Sequence, residues 1–240
     1  MKKKLMLMGI TAALLFATII GGSLAYFQAN GDAVQNQITT RQLAIRLSQG
    51  SEAEQETAWE ETARADGSMV LQLKEAVMPG SEVSKSVTVS NTADTELYTR
   101  VTVTRSWGQW EETTEGSQIY EFMKDTSLDG SKIGLLSGGE ALDALTTGAV
   151  NGWIYDEEYS TGERLVFYYT SPLAPGEAAE NLLDLLAIDP SLGNEYAGKA
   201  VELTVEADAI QMLSASDAAL SEWGVVLHIG ADGVITGIEN

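Results

Sequence analysis

The sequence contains no cysteine among its 240 residues. This absence excludes disulfide bonds, lipid attachment through an N-terminal cysteine, thiolate metal sites and cysteine catalysis. A chain without such cross-links must bury a core that is large enough to hold the fold together. About 215 residues remain when the N-terminal segment described below is set aside, and they are enough for one large domain.

Histidine and basic residues are scarce as well. His228 is the only histidine, and 14 lysines and arginines stand against 35 acidic residues, which gives a formal net charge of -21. Removing residues 1–25, which carry three lysines and no acid, takes this charge to about -24. A chain this acidic is repelled by nucleic acid and by anionic lipid, so neither is an expected partner.

Only one long apolar run is present, and it lies at the N-terminus. Lys2, Lys3 and Lys4 precede an uncharged run over residues 5–25 that ends in small residues. A basic start, an apolar run and a small-residue site together predict a secretory signal, cleaved between Ala25 and Tyr26. Because the run is long enough to span a bilayer, an uncleaved membrane anchor is the alternative. Both interpretations place the remaining chain outside the cytoplasm.

Alternation of apolar and polar residues, which is typical of half-buried strands, recurs along the chain. In the clearest stretch, residues 79–105, two alternating segments flank a turn signal at residues 91–94. Two such segments predict either a β-hairpin or a crossover between two sheets. Further strands are predicted over residues 43–47, 69–73, 165–170 and 201–209, and two short ones within residues 225–238.

Helical spacing is limited to short pieces. Leu182, Leu183, Leu185 and Leu186 have i, i+3, i+4 spacing, residues 140–145 suit one or two turns, Ser214 is a candidate cap for a helix ending at Trp223, and the acidic residues 51–67 predict a loop or a short helix. Many short strands with turns between them predict an all-β fold, a jelly-roll-like β-sandwich with a few short helices in the connections.

These patterns divide the chain into four parts. We predict a signal peptide over residues 1–25, a flexible N-terminal arm over residues 26–37 (the arm), a β-sandwich domain over residues 38–224, and a strand-like C-terminal extension over residues 225–240. The arm is polar, contains glycine and has no clear periodicity.

No pattern of residues points to catalysis. His228 lacks the second imidazole of a zinc peptidase, and neither H-E-x-x-H nor G-x-S-x-G is present. The phosphate-binding loops G-x-G-x-x-G and G-x-x-x-x-G-K-[ST] are also missing. We therefore predict no catalytic residue, no metal site and no cofactor.

Two groups of residues leave a binding role open. The acidic run Asp156-Glu157-Glu158 predicts a solvated turn that could bind calcium opportunistically, although the calcium-hand loop D-x-D-x-D-G is absent. Aromatic residues concentrate near residues 107–110, 153–159 and 167–169. At strand spacing such groups indicate core packing, with a carbohydrate-binding face as the alternative.

Several short segments, taken in order, resemble the TasA/camelysin family of exported proteins from Gram-positive bacteria. They span residues 20–224 and are Gly21-Gly22-Ser23-Leu24-Ala25-Tyr26-Phe27, Asn36-Gln37-Ile38-Thr39-Thr40-Arg41-Gln42-Leu43, Met78-Pro79-Gly80-Ser81-Glu82-Val83, Val87-Thr88-Val89-Ser90-Asn91-Thr92, Tyr98-Thr99-Arg100-Val101, Phe167-Tyr168-Tyr169, Leu173-Ala174-Pro175-Gly176-Glu177, Val205-Glu206-Ala207-Asp208-Ala209-Ile210-Gln211 and Trp223-Gly224.

The resemblance implies a secreted structural protein of the extracellular biofilm matrix, with a signal removed by a SipW-type signal peptidase. It implies a jelly-roll sandwich and fibres in which the N-terminal arm supplies a strand to the neighbouring subunit, so the main partner is another copy of the chain. Other matrix proteins or polysaccharide are further expected partners. Some members are described as surface metallopeptidases, an activity for which this chain lacks a zinc motif.

Strand donation is physically reasonable for this sequence. An open sheet edge accepts another strand through its unpaired N–H and C=O groups. The apolar residues expected to dock in such an exchange are Tyr26, Phe27, Ala29, Val34 and Ile38. A head-to-tail contact that does not close into a ring produces a filament. Cleavage between Ala25 and Tyr26 would free the arm and could therefore control polymerisation.

Overall fold

A computed structural model of the chain describes residues 45–49, 59–64, 69–73, 78–113, 119–144 and 149–240. These residues form fifteen strands. They are β1 Ile45–Gln49, β2 Trp59–Arg64, β3 Met69–Leu73, β4 Glu82–Asn91, β5 Leu97–Glu112, β6 Ile119–Lys124, β7 Ile133–Ser137, β8 Glu140–Ala141, β9 Ala149–Val150, β10 Trp153–Tyr155, β11 Arg164–Tyr169, β12 Leu183–Ile188, β13 Ala200–Gln211, β14 Val226–Ile229 and β15 Ile235–Glu239.

The strands form two main sheets and one separate hairpin. The small sheet has the order β1-β4-β12-β7-β8, and the hairpin is β14-β15. The large sheet is built around β5, which is long enough to pair with β13 on one edge and with both β11 and β6 along the other. From β11 the sheet continues to β10 and β9, and from β6 to β2 and β3. All pairs are antiparallel except β2 with β6.

Apolar residues at alternate positions fill the space between the two sheets. Val87 and Val89 of β4 face Val101 and Val103 of β5 within one fully buried cluster, which Phe167 of β11 joins. The intervening residues point away from this core, as the period of two requires. The prediction of an all-β sandwich with a few short helices is therefore confirmed.

The turn at residues 91–94 carries the chain from one sheet to the other. Asn91 is fully buried, and its Nδ2 donates to the carbonyl oxygens of Thr95 and Leu173, both at 2.8 Å, while its Oδ1 accepts from the N–H of Ala93. These bonds fix the turn from inside. Because β4 and β5 lie in different sheets, the crossover interpretation is the correct one and the hairpin interpretation is wrong.

Arg105 closes one end of the sandwich. Its side chain is 1% exposed, with Nη2 2.6 Å from Oδ2 of Asp143. Its Nε donates to the carbonyl oxygen of Gly162 at 2.9 Å, and its Nη1 to that of Ile133 at 2.6 Å. A buried guanidinium is tolerated when it is paired and hydrogen-bonded in this way. Arg105 thereby joins β5 to three other segments.

The helix expected from the leucines at 182–186 is wrong, because Leu183–Ile188 is strand β12. Its register shifts between Leu183 and Leu185, so Leu183 and Leu186 both face the core, three residues apart. Asp184 sits at this bulge, where its carboxylate accepts from Asn181 Nδ2 and from the N–H of Gly138. A β-bulge therefore produced the spacing that imitates a helix.

Two other local expectations also change. The acidic segment 51–67 contains strand β2 at Trp59–Arg64 where a loop or helix was expected. In the segment 140–145, the structure has the short strand β8 followed by a 3-10 turn at Leu142–Ala144. Further 3-10 turns lie at Gly130–Lys132, Asn194–Tyr196 and Met212–Ser214.

Residues 212–240 form a third layer, the C-terminal layer, on the outer face of the large sheet. Helix α1 (Ala215–Ala218) continues as a π-helical turn, Ala219–Trp223, and then leads into the β14-β15 hairpin. The predicted helix is therefore present, but the side chain of Ser214 makes no capping hydrogen bond. Apolar residues of this layer pack on the sheet in a second buried cluster: Tyr98, Val166, Tyr168, Ile210, Ala215, Ala219, Trp223, Val225, Leu227 and Ile235.

Candidate assembly surface

Strand β13 forms one long edge of the large sheet. Its 12 residues pair with β5 along their whole length, from Ala200 opposite Gly108 to Gln211 opposite Leu97. On its other side, no strand pairs with β13 among the residues that the structure describes. Antiparallel strands direct alternate N–H and C=O groups to each side, so about half of the β13 backbone faces this edge.

The two faces of β13 differ in the way that its sequence predicts. Val201, Val205 and Ala207 are buried in the sandwich core, whereas Thr204 and Glu206 on the opposite face are exposed. The strand is thus held firmly by one face and by one edge. In the described sheets, no other edge leaves as long a stretch of backbone without a paired strand, although Cα atoms of β1 and β3 come within 8 Å of β13.

A polar row crosses the outer face of the large sheet beside this edge. Arg100 of β5 lies directly opposite Asp208 of β13, and its Nη2 is 2.7 Å from Oδ2 of that carboxylate. The guanidinium also lies 5.3 Å from the ring centroid of Trp223, within reach of a cation–π interaction. On the other side of β5, Tyr168 is paired with Arg100. The row therefore links the β13 edge to the C-terminal layer.

Tyr168 and Asp156 bring buried polar atoms under the C-terminal layer. The Tyr168 ring is 5.4 Å from that of Trp223, and burial raises the pKa of its hydroxyl to about 12. The Tyr168 hydroxyl and Oδ2 of Asp156 are both buried and make no well-directed hydrogen bond with a described residue, but Arg100 and Asp156 lie near enough to the hydroxyl to influence its pKa. Oδ1 of Asp156 accepts from the N–H of Tyr159 and from Asn240 Nδ2.

The acidic run at 156–158 lies in the turn between β10 and β11, as predicted. Glu157 and Glu158 are exposed, but Asp156 is only 4% exposed and supports the turn from inside. Throughout the described part of the chain, no group of three histidine, aspartate or glutamate side chains could hold a metal ion. His228, on β14, is exposed, and its Nε2 lies 3.3 Å from Oε2 of Glu239.

The aromatic groups are mainly structural. Trp153 is 1% exposed, packs against Tyr169 and donates its Nε1–H to the carbonyl oxygen of Glu180 at 2.8 Å. Trp107 is buried edge-to-face against Tyr196. Neither tryptophan can stack on a sugar without unfolding, because both lie inside the sandwich. This supports core packing over a carbohydrate-binding face at these two positions.

Hydrogen bonds and ion pairs lower the pKa values of three carboxyl groups in the loops at 125–132 and 189–199. Asp125 accepts from Lys199 and from Ser127, which lowers its pKa from 3.8 to about 2. Lys132 and Ser191 hold the pKa of Asp189 well below its usual value, and Asp189 in turn raises the pKa of Lys132. Ser131 lowers the pKa of Asp129.

The residues predicted to act in assembly lie outside the described residues. They are the cleavage pair Ala25 and Tyr26, the further arm residues Phe27, Ala29 and Val34, and Ile38, which directly follows the arm. Their roles stay predictions. The sequence predicted β13 as a strand but not as an edge, because alternation indicates which face is buried and not which neighbours pair. The polar residues at the alternate positions Glu202, Thr204, Glu206 and Asp208 indicate the face turned away from the core, and no signal in the sequence marks the edge.

Among the described residues there is no helix with the length and apolar character to cross a membrane. A comparison of the sequence with models of known protein families found no match, and no curated protein matches the chain either.

Proposed function

We propose that this protein is an exported structural protein whose β-sandwich subunits polymerise head to tail into fibres of an extracellular matrix, in the manner of TasA. The observation that carries this proposal is β13, a 12-residue strand whose second edge has no paired strand in the described part of the chain. Such an edge accepts a donated strand through main-chain hydrogen bonds. The donor is the arm of the next subunit.

The composition of the arm suits this role. Between Tyr26 and Ile38 the only charged side chain is Asp32, in a chain whose net charge is -21. A nearly neutral strand meets little repulsion beside Glu206, which is exposed on β13. Each of the large apolar residues of the arm would contribute about 1.5–3 kcal/mol if fully buried, before the cost of ordering the arm.

The length of the chain between the arm and β1 supports donation to this edge. Ile38 precedes the start of β1 at Ile45 by seven residues, a connection that spans at most roughly 25 Å. Cα atoms of β1 come within 8 Å of those of β13. The arm can therefore pair with the β13 of its own subunit or with that of a neighbour, and the second arrangement propagates as a filament.

In this proposal, the sequence of the N-terminal segment explains the processing step. Before cleavage between Ala25 and Tyr26, the arm is continuous with the apolar run that enters the membrane. A SipW-type signal peptidase that cuts there would release the arm outside the cell. Assembly would then begin only after export.

Electron microscopy of purified residues 26–240 tests the proposal. We expect filaments, and we expect none when residues 26–37 are deleted while circular dichroism still reports the β fold. An added peptide with the sequence of residues 26–38 should slow filament growth, and a scrambled peptide should not. Monomers at every concentration and pH, or filaments that persist without the arm, would refute donation by the arm.

The absence of cysteine permits a direct test of the contact. We would mix a Thr204→Cys protein with proteins that each carry one cysteine between residues 26 and 38. Mixed disulfide dimers are expected for a subset of arm positions that alternate by two, because alternate residues of a strand face the same side. Ser221→Cys, on the exposed C-terminal layer, is the matched control and should form no mixed dimer above background. Equal cross-linking of both positions would contradict a specific contact.

A further inference from the structure

A tight two-residue turn joins β9 to β10. Val150 pairs with Trp153, which leaves Asn151 and Gly152 as the turn. Both have positive φ, 50° for Asn151 and 76° for Gly152, as a type I′ hairpin turn requires. A Cβ atom on Gly152 would lie 2.7 Å from the Tyr169 ring, so only glycine fits at this position.

The side chain of Asn151 connects this hairpin to the other side of the sandwich. Its Nδ2 donates to Oγ of Ser137 at 2.8 Å and to the carbonyl oxygen of Asn181 at 3.2 Å. Ser137 ends β7 of the small sheet, whereas the hairpin belongs to the large sheet. Asn151 itself is exposed, so water reaches its amide.

We propose that Asn151 is a site of spontaneous deamidation, and that the folded hairpin controls the rate of this reaction. The backbone nitrogen of Gly152 attacks Cγ of Asn151 and forms a new C–N bond. Its proton passes through solvent to the side-chain nitrogen, and the Cγ–Nδ2 bond breaks to release ammonia. Water then opens the resulting succinimide to aspartate or isoaspartate. Glycine favours the attack, because it places no side chain beside the attacking nitrogen.

The native turn opposes this attack. Ring closure requires the Gly152 nitrogen and Cγ of Asn151 to approach each other, which changes both the backbone and the side-chain conformation of Asn151. In the folded hairpin the left-handed backbone and the two amide hydrogen bonds hold both conformations in place. The reaction therefore proceeds through local opening of the hairpin, and its rate follows the population of the open form.

The products would weaken the link between the sheets. An aspartate has no N–H to donate, so its carboxylate would face the Asn181 carbonyl as acceptor against acceptor. An isoaspartate adds a methylene to the main chain of a two-residue turn and displaces Trp153, whose buried indole is bound to Glu180. Conversion at Asn151 is thus an irreversible change that accumulates with the age of the molecule.

Peptide mapping by mass spectrometry tests this inference on the purified protein held at mildly alkaline pH. We expect Asn151 to deamidate at least about tenfold more slowly than in a synthetic peptide of residues 148–155, because opening must come first. Ser137→Ala removes one hydrogen-bond acceptor and should accelerate the reaction severalfold. Ser221→Ala, remote from the hairpin, should leave the rate unchanged.

A measurement on the wild-type protein keeps the test valid if Ser137→Ala fails to fold. Subdenaturing urea should raise the deamidation rate of Asn151 in step with hairpin opening, and Asn151→Asp should lower the midpoint of urea unfolding. Equal rates in protein and peptide would overturn the inference, as would a rate that does not respond to urea. An Asn151→Asp protein as stable as the wild type would overturn the predicted weakening of the link.

Discussion

The two faces of the large sheet are covered in different ways. The inner face meets the small sheet across a continuous apolar core in which Val101, Val103 and Phe167 are fully buried. Part of the outer face is covered by the C-terminal layer, and there the apolar cluster lies beside the polar row with Arg100 and Tyr168. Two neighbouring residues of β11 thus face opposite sides of the sheet: Phe167 packs in the inner core, and Tyr168 packs under the C-terminal layer.

The difference indicates how stability is distributed. The inner core joins strands from both main sheets, so losing it unfolds the sandwich as a whole. The outer cluster depends on a short helical segment and one hairpin, which are consecutive in the chain and can detach together. Such a contiguous unit has a lower opening free energy than the global fold. The following predictions test this contrast, from the largest expected effect to the smallest.

Phe167→Ala should have the largest effect. Removing a fully buried ring from the inner core is expected to lower the free energy of unfolding by about 3–5 kcal/mol. Urea unfolding followed by fluorescence and by circular dichroism should show one coincident transition at lower urea. A loss below about 1 kcal/mol would mean that the inner core can close around the gap, and the contrast between the faces would fail.

Trp223→Ala should act mainly on the C-terminal layer. The indole contacts Tyr168 and Arg100, and its loss should lower the local opening free energy by about 2–3 kcal/mol, less than for an enclosed core residue. Hydrogen exchange should then accelerate in β14 and β15 while β4 stays protected. Equal acceleration in β4 and β14 would show that the layer does not open separately.

Tyr168→Phe should stabilise the protein slightly, by up to about 1 kcal/mol, because it removes a buried hydroxyl that makes no well-directed hydrogen bond, although Arg100 and Asp156 lie near it. Its pKa of about 12 lies above the usual 10.0, so the fold disfavours the ionised form. The wild type should therefore lose stability as the pH rises from 10 towards 12, and the variant should lose less. Urea midpoints across this range measure both effects. Destabilisation by the variant at neutral pH would reveal a partner for the hydroxyl.

The smallest effect is expected for Asp125→Asn. Because the pKa of Asp125 is lowered to about 2, its bond to Lys199 stabilises the fold above pH 3.8, and this contribution is lost as the pH falls towards 2. The wild type should therefore lose more stability between pH 4 and pH 2 than the variant does. Thermal unfolding in that range measures the difference. Parallel curves would mean that Asp125 contributes nothing.

The sequence predicted the parts of the fold that depend on simple alternation. Val87 and Val89 indicated β4, and Val101 and Val103 indicated β5, because one face of each strand is buried over many residues. Alternation failed at Leu183–Ile188, since a bulge at Asp184 places two core residues three apart. The Asp184 carboxylate at this bulge accepts hydrogen bonds from Asn181 and Gly138. Both donors lie outside the strand, so the pattern of the strand itself does not reveal the bulge.

The candidate assembly surface was less accessible to prediction. The residues of β13 indicate a strand with one buried face, but its place at the sheet edge depends on β5, which lies about one hundred residues earlier. Likewise, the sequence predicted that Asp156 is solvated, as Glu157 and Glu158 are. In the structure, Asn240 of the C-terminal layer donates a hydrogen bond to its carboxylate. In both cases, partners distant in the sequence decide the environment of the residue.

Arg105 has a consequence for the order of folding. Its three partners, Ile133, Asp143 and Gly162, lie 28, 38 and 57 residues further along the chain. A partly folded chain that buries the guanidinium before all three arrive would hold a charge without its full set of bonds. That end of the sandwich is therefore expected to close late and in a single cooperative step, which makes long-range contacts there part of the folding barrier.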